Sequence, residues 1–159
     1  MGRLVPTISE PPALRVEGHD LSTFPEAAKS RLLLQGLEEF NRGEFISCHE
    51  SLERLWVSEQ GSIRELYKGI LQISVAFHHL RERRYRSAVM LLRRGSAYLE
   101  PFSPRCMGVE ISMLLDDSTR CLAEVRKLGP NGLDRFDWSL VPTIEMRLYD
   151  KADTQNEQR

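Results

Sequence analysis

The chain has 159 residues, of which 41% are hydrophobic and 28% are charged, and its net charge is −1. This length and composition indicate a folded domain with its own core and exclude a disordered or fibrous chain. No apolar run reaches the roughly 18 residues that a transmembrane helix needs, so we expect no membrane association. The near-neutral charge gives no overall attraction to nucleic acid.

The two ends differ in composition from the rest of the chain. Residues 1–22 contain three prolines and no sustained periodicity, which predicts an extended arm. Residues 151–159 have the polar composition of a disordered tail. A single helical domain is therefore expected over residues 23–150. The start lacks a secretory signal and the three cysteines show no metal-binding spacing, which favours a cytoplasmic protein with reduced thiols.

Apolar residues recur with helical spacing in five segments of the intervening sequence, and Gly or Pro separates most of them. The segments run from Pro25 to Gly43, from 44 or 45 to about 58, and over about 63–82, 84–100 and 107–128. No alternating pattern predicts a strand. Short connections favour antiparallel neighbours, so we predict an all-α bundle of about five helices in antiparallel hairpins.

One pattern repeats after 40 residues. In each copy a helix end precedes a tight turn, an aromatic residue, a small residue and a leucine. The two sets are Phe40, Phe45, Cys48 and Leu52, and Leu80, Tyr85, Ala88 and Leu92. Stacked helical hairpins show this kind of repeat, because the small residue lets a neighbouring helix approach.

The second predicted helix carries a His-Glu-x-x-Glu segment. His49 and Glu53 are four residues apart, so they lie on one face, at the edge of an apolar arc that includes Trp56. On the third helix, Lys68, Gln72 and His79 form a narrow polar strip between two apolar stripes. Titratable groups beside a predicted core need partners or a function.

These residues suggest a metal site. His49, Glu53 and His79 would be the ligands, with Gln72 as a further partner. Nitrogen and oxygen donors suit Zn, Mn or Fe. Glu50 could activate a metal-bound water, as the glutamate of the His-Glu-x-x-His metalloproteases does.

Two other interpretations are open for the same residues. In the first, His49 and Glu53 pair along the helix while Gln72 and His79 satisfy one another or water, so the cluster is structural. In the second, the cluster performs acid–base chemistry without metal.

A local basic patch spans the junction of the third and fourth helices. Residues 61–110 carry nine basic and four acidic side chains, and the patch centres on Arg81–Arg86. Arginines near a helix C-terminus complement the helix dipole. Because only Tyr85 offers a stacking platform, nucleic-acid binding is disfavoured.

Taken together, these segments resemble a known family. The resemblance rests on a Phe-x-x-Gly-x-Phe turn at residues 40–45, a His-Glu-x-x-Glu-x-x-Trp helix at 49–56, and a Gly-x-x-Gln helix ending in His79. The chain is similar here to the domain of unknown function 309 family, over roughly residues 30–100. Where most relatives have a Gly-Asn turn after the third helix, this chain has Arg83-Arg84-Tyr85.

The resemblance implies a compact all-α fold. The family has been labelled a predicted metal-dependent hydrolase, so the resemblance also implies that activity. His49, Glu50, Glu53, Gln72 and His79 would carry that activity, with Glu50 or Glu53 as the base. The alternative is a non-enzymatic helical-hairpin interaction module in which the polar cluster sets helix register. The sequence names no substrate or partner, and it leaves a homo-oligomer open.

Overall fold

The computed structural model describes residues 26–147, and five α-helices make up most of that part. The predicted arm at 1–22 and tail at 151–159 lie outside the described residues. The helices are α1 (Glu26–Asn41), α2 (Phe45–Ser58), α3 (Arg64–Arg81), α4 (Tyr85–Leu99) and α5 (Ile111–Leu128). The predicted all-α bundle is confirmed.

The third helix is the centre of the bundle. It packs against α2 on one side and α4 on the other, and both of its predicted apolar stripes are buried. Near the start of α2, the Phe77 ring lies 5.7 Å from that of Phe45 and 5.9 Å from that of Phe40 on α1, between ring centroids. An amphipathic helix with apolar residues on two sides needs a neighbour on each side, which explains its position.

The contact between α3 and α4 is unusually close because each helix has a glycine there. A Cβ atom placed on Gly95 would lie 2.7 Å from Ile73 Cγ1 and 2.9 Å from the carbonyl oxygen of Gly69. A Cβ atom placed on Gly69 would lie 2.7 Å from Leu99 Cδ2. Neither position leaves room for a side chain, so the two glycines set the distance between the helices.

The 40-residue repeat appears in the structure as two turns with the same hydrogen bonds. In the α1–α2 turn, Gly43 N donates to Phe40 O and Glu44 N donates to Glu39 O. The α3–α4 turn repeats both bonds 40 residues later, at Leu80, Arg83 and their neighbours. Gly43 and Arg83 both adopt a positive φ, of 77° and 59°. Arg83 therefore occupies a left-handed position that normally favours glycine.

The structure corrects the prediction that strands are absent and that α5 begins near residue 107. Arg105–Cys106 (β1) pairs with Val109–Glu110 (β2) as a short antiparallel hairpin. Met107 and Gly108 form its turn with positive φ values of 50° and 78°, as in two-residue hairpin turns. Val109 also forms a bridge with Met146, so α5 starts only at Ile111.

The segment after α5, residues 129–147, packs against the helices and adds buried side chains to the core. Leu133, Phe136 and Ile144 are buried there, and the Asn41 side chain exchanges two hydrogen bonds of 2.9 and 2.8 Å with the backbone of Ile144. Trp138 is 41% exposed. Within residues 26–147, no helix combines the length and the apolar character needed to cross a bilayer.

Candidate functional site

Two hydrogen bonds set the register of α2 on α3. Ser74 Oγ donates to the carbonyl oxygen of Phe45 at 2.6 Å, and Arg64 Nε donates to that of Trp56 at 3.2 Å. The helices are therefore antiparallel, with the start of α2 beside the second half of α3. His49 consequently lies at the level of the turn of α3 that contains Gln72.

The structure brings His49 and Glu53 together, as their spacing predicts. His49 Nε2 lies 4.0 Å from Glu53 Oε2, and the two side chains are 19% and 35% exposed. Burial lowers the pKa of His49, and the carboxylates of Glu53 and Glu50 partly offset that effect. His49 is therefore mainly neutral at pH 7, so it can accept a proton. Glu50 lies on the exposed side of α2.

The polar strip of α3, formed by Lys68, Gln72 and His79, lies between α2 and α4. Lys68 Nζ shows this directly, because it lies 5.7 Å from the ring centroid of Trp56 on α2 and 4.8 Å from that of Tyr98 on α4. Gln72 and His79 are only 4% and 5% exposed. Gln72 Oε1 and His79 Nδ1 have no hydrogen-bond partner among the described residues.

His79 lies at a different level from His49, at the charged turn between α3 and α4. Glu82 binds His78 Nε2 at 3.3 Å and Arg84 Nη2 at 3.1 Å in this turn. Burial lowers the pKa of His79, the charges of Arg84 and His78 add to that effect, and Glu82 opposes it. The imidazole is therefore held in its neutral form.

The donor set does not fit the metal that the family label implies. Residues 26–147 contain no group of three or more His, Cys, Asp or Glu side chains able to hold a metal ion. The predicted ligands His49, Glu53 and His79 therefore do not form such a group. Zn, Mn and Fe sites in proteins draw on several of these donors at once, so the metal of the family label has no matching set of donors in this part of the chain.

The two buried cysteines, Cys48 and Cys121, do not supply a nucleophile to this site. Cys48, next to His49 in sequence, is fully buried. Burial raises the pKa of its thiol to about 12, against a smaller opposing effect of the hydrogen bond with Ser74. Burial also raises the pKa of Cys121 to about 12. Both remain neutral thiols at physiological pH, and the thiolate is the reactive form.

The sequence interpretation missed a cluster at the other end of the strip. Arg64 Cζ lies 4.1 Å from the ring centroid of Trp56, with Lys68 and Tyr98 beside it. Trp56 is 7% exposed, and its Nε1 has no hydrogen-bond partner among the described residues. The four-residue spacing of Arg64 and Lys68 was a signal for one cationic face, but Tyr98 is too distant in sequence to be associated with it.

One of three comparisons with known proteins supports the family resemblance that the order of the sequence motifs indicates. Searches against curated proteins and against solved structures returned no match. Residues 33–91 match the model of one family, the Domain of unknown function (DUF309). The matched segment runs from α1 into α4 and includes His49, Glu53, Gln72 and His79. Residues 33–91, the part of the helical domain that carries the polar strip, are therefore similar to the DUF309 family.

Proposed function

We propose that the polar strip of α3, together with His49 and Glu53 of α2, binds a small polar molecule. The observation that carries this proposal is the pair of unpartnered atoms on one helix face, Gln72 Oε1 and His79 Nδ1. Buried polar atoms nearly always have a hydrogen-bond partner. Leaving one without a partner costs about 1–3 kcal/mol, and a bound ligand would recover that cost.

The free atoms define what such a molecule must offer. Gln72 Oε1 is an acceptor, so the ligand must present an N–H or O–H donor to it. His79 Nδ1 accepts or donates according to its tautomer. His49 is only partly buried, so it gives the binding site a titratable group that a ligand can reach.

Thermal-shift measurements with a panel of small phosphates, carboxylates, amines and sugars test this proposal. A compound present at about 100 times its Kd stabilises the folded protein by about 2.7 kcal/mol. We expect at least one compound to raise the Tm of the native protein and to lose that effect in Gln72→Met. Gln35→Met, at an exposed position on α1, is the matched control. Equal shifts in the native protein and Gln72→Met for every compound would contradict the proposal.

Hydrolysis is the second candidate, and the pairing of His49 with Glu53 is the observation that favours it. Neutral His49 would take a proton from water as the water oxygen attacks the substrate. The Glu53 carboxylate, 4.0 Å from Nε2, would stabilise the imidazolium, which then returns the proton to the leaving group. The four-residue spacing on one helix holds the two groups in this relation.

Chromogenic ester and phosphoester substrates test the second candidate. His49→Gln should lower the rate at least about 100-fold, the usual contribution of a general base. The rate of the native protein should rise with pH as His49 loses its proton. If Glu50→Gln abolishes the rate and His49→Gln does not, the base is Glu50 and this mechanism is wrong. If no compound binds and no substrate is cleaved, the non-enzymatic interaction module is the better account.

A further inference from the structure

Two cations and two aromatic rings meet where α2 ends, α3 begins and α4 ends. We call Trp56, Arg64, Lys68 and Tyr98 the cation–aromatic cluster. Arg64 Cζ lies 4.1 Å and Lys68 Nζ 5.7 Å from the Trp56 ring centroid, while Lys68 Nζ lies 4.8 Å from the Tyr98 ring centroid. Both cations are partly buried, so each has lost part of its hydration.

No carboxylate in the described part of the chain neutralises these two charges. Within residues 26–147, no ion pair involves Arg64 or Lys68. Arg64 is also the first residue of α3, where the helix dipole adds positive potential. Two unpaired, partly buried cations on one ring repel each other unless an anion lies between them.

The third element of the cluster is an unused donor. Trp56 is 7% exposed, and its Nε1–H has no acceptor among the described residues. Arg64 uses Nε to bind the Trp56 carbonyl oxygen at 3.2 Å, while its terminal nitrogens have no acceptor in the described part of the chain. The cluster thus combines an indole N–H, a guanidinium and an ammonium, all of which donate hydrogen bonds.

We propose that the cation–aromatic cluster binds an oxyanion, a phosphate or carboxylate group, of the small molecule that occupies the strip. This inference rests on the proposed function and specifies its ligand. Lys68 and Gln72 are one helical turn apart, about 6 Å along the axis. The ligand therefore carries an oxyanion at one end and an N–H or O–H donor about one turn away.

Indole NMR signals test the inference. The chain has two tryptophans, so a ¹H–¹⁵N spectrum shows two indole resonances, which Trp138→Phe assigns. Trp138 is a matched reference, because it is exposed and also lies near a cation, with Arg81 Cζ 5.8 Å from its ring centroid. The probes are inorganic phosphate and citrate, each compared with sodium chloride at equal ionic strength.

A saturable shift of the Trp56 indole, without one of Trp138, is the expected result. Arg64→Gln and Lys68→Gln should each raise the Kd about tenfold or more, because each removes a charge-assisted contact. Arg93→Gln, at an exposed position on α4, removes the same charge elsewhere and should not change the Kd. The probe that saturates at lower concentration identifies the oxyanion as phosphate or carboxylate.

Three results would overturn the inference: no Trp56 shift, equal shifts of both indoles, or an unchanged Kd in Arg64→Gln and Lys68→Gln. The two proposals fail separately. One result is a compound that stabilises the native protein but not Gln72→Met, while phosphate and citrate leave the Trp56 indole resonance unshifted. It would support ligand binding at the strip and refute oxyanion binding at the cation–aromatic cluster. The opposite result is a saturable shift of the Trp56 indole, while every panel compound shifts the Tm of Gln72→Met as much as that of the native protein. It would refute ligand binding at the strip and support oxyanion binding at the cluster.

Discussion

The two faces of α3 follow opposite packing rules. The face toward α4 is apolar and closely packed, since a Cβ on Gly95 would lie only 2.7 Å from Ile73 Cγ1. The strip face instead carries two buried polar atoms without partners, on Gln72 and His79. The first arrangement maximises contact between helices, whereas the second sacrifices stability. This difference supports the proposal that a ligand occupies the strip, whereas the α4 face is closely packed.

The largest expected effect comes from enlarging the residue at the close contact. Gly95→Val should lower the free energy of unfolding by about 3 kcal/mol, because the new side chain meets Ile73 and the backbone of Gly69. Urea denaturation measures this change. Gly61→Ala, at an exposed glycine whose nearest contact is a Glu59 side-chain atom at 3.4 Å, should change it by less than about 0.5 kcal/mol. Similar values for both would mean that the α3–α4 contact is not close.

A smaller loss is expected where a polar group of α3 has its partner. Ser74 is fully buried and donates to the Phe45 carbonyl oxygen at 2.6 Å. Ser74→Ala should lower the free energy of unfolding by about 1 kcal/mol. Thr119→Ala is the control, because its exposed hydroxyl makes a comparable 2.8 Å bond to Leu115 O within α5 and should contribute little. Equal losses would show that burial does not strengthen the Ser74 bond.

Stability should depend on pH through the strip. Because the folded-state pKa of His79 is lowered, the unfolded chain binds a proton more readily below its own pKa of about 6.5. The stability is therefore fully present above that pH and is lost as the pH falls toward the folded pKa. His79→Gln should reduce this decline in chemical denaturation, while His78→Gln, which removes the side-chain contact with Glu82, is the comparison. A decline that persists unchanged in His79→Gln would assign it to His49, whose pKa burial also lowers, and not to the strip.

The smallest effect is expected at the unpartnered amide. Gln72→Met keeps the volume and removes an acceptor that lacks a partner, so the free energy of unfolding should stay within about 0.5 kcal/mol of the native value or rise. A loss as large as that of Ser74→Ala would place the strip among ordinary, satisfied interior groups. That result would remove the contrast between the two faces.

The helices could be predicted because their signals are local. Apolar spacing within each segment, Gly43 after α1 and Gly129 after α5 define elements that form without reference to distant residues. The β-hairpin could not be predicted in this way. Its strands have two residues each, its turn is Met107-Gly108, and its second strand is completed by Met146 from the far end of the domain. Such a strand depends on long-range pairing that no local pattern records.

In the candidate site, too, the contacts within one helix could be predicted from the sequence and those between helices could not. The proximity of His49 to Glu53 follows from their spacing on one helix, and that of Lys68 to Gln72 follows likewise. Whether a third ligand approaches His49 depends on the register of α2 on α3 and on the positions of side chains two turns apart. His79 lies instead at the charged turn with Glu82 and Arg84. The sequence motif did not indicate that His79 and His49 lie at different levels of the bundle.

By itself, the sequence determined five helices, their hairpin order and the polar residues on each helix face, because 3.6-residue periodicity and turn residues act within one segment. Only the tertiary structure decided that Trp56, Lys68 and Tyr98 meet, that Gln72 and His79 are buried without partners, and that no metal-ligand group forms within residues 26–147. Those outcomes depend on how three helices pack against one another, and a helix pattern is compatible with many packings until the contacts between helices select one.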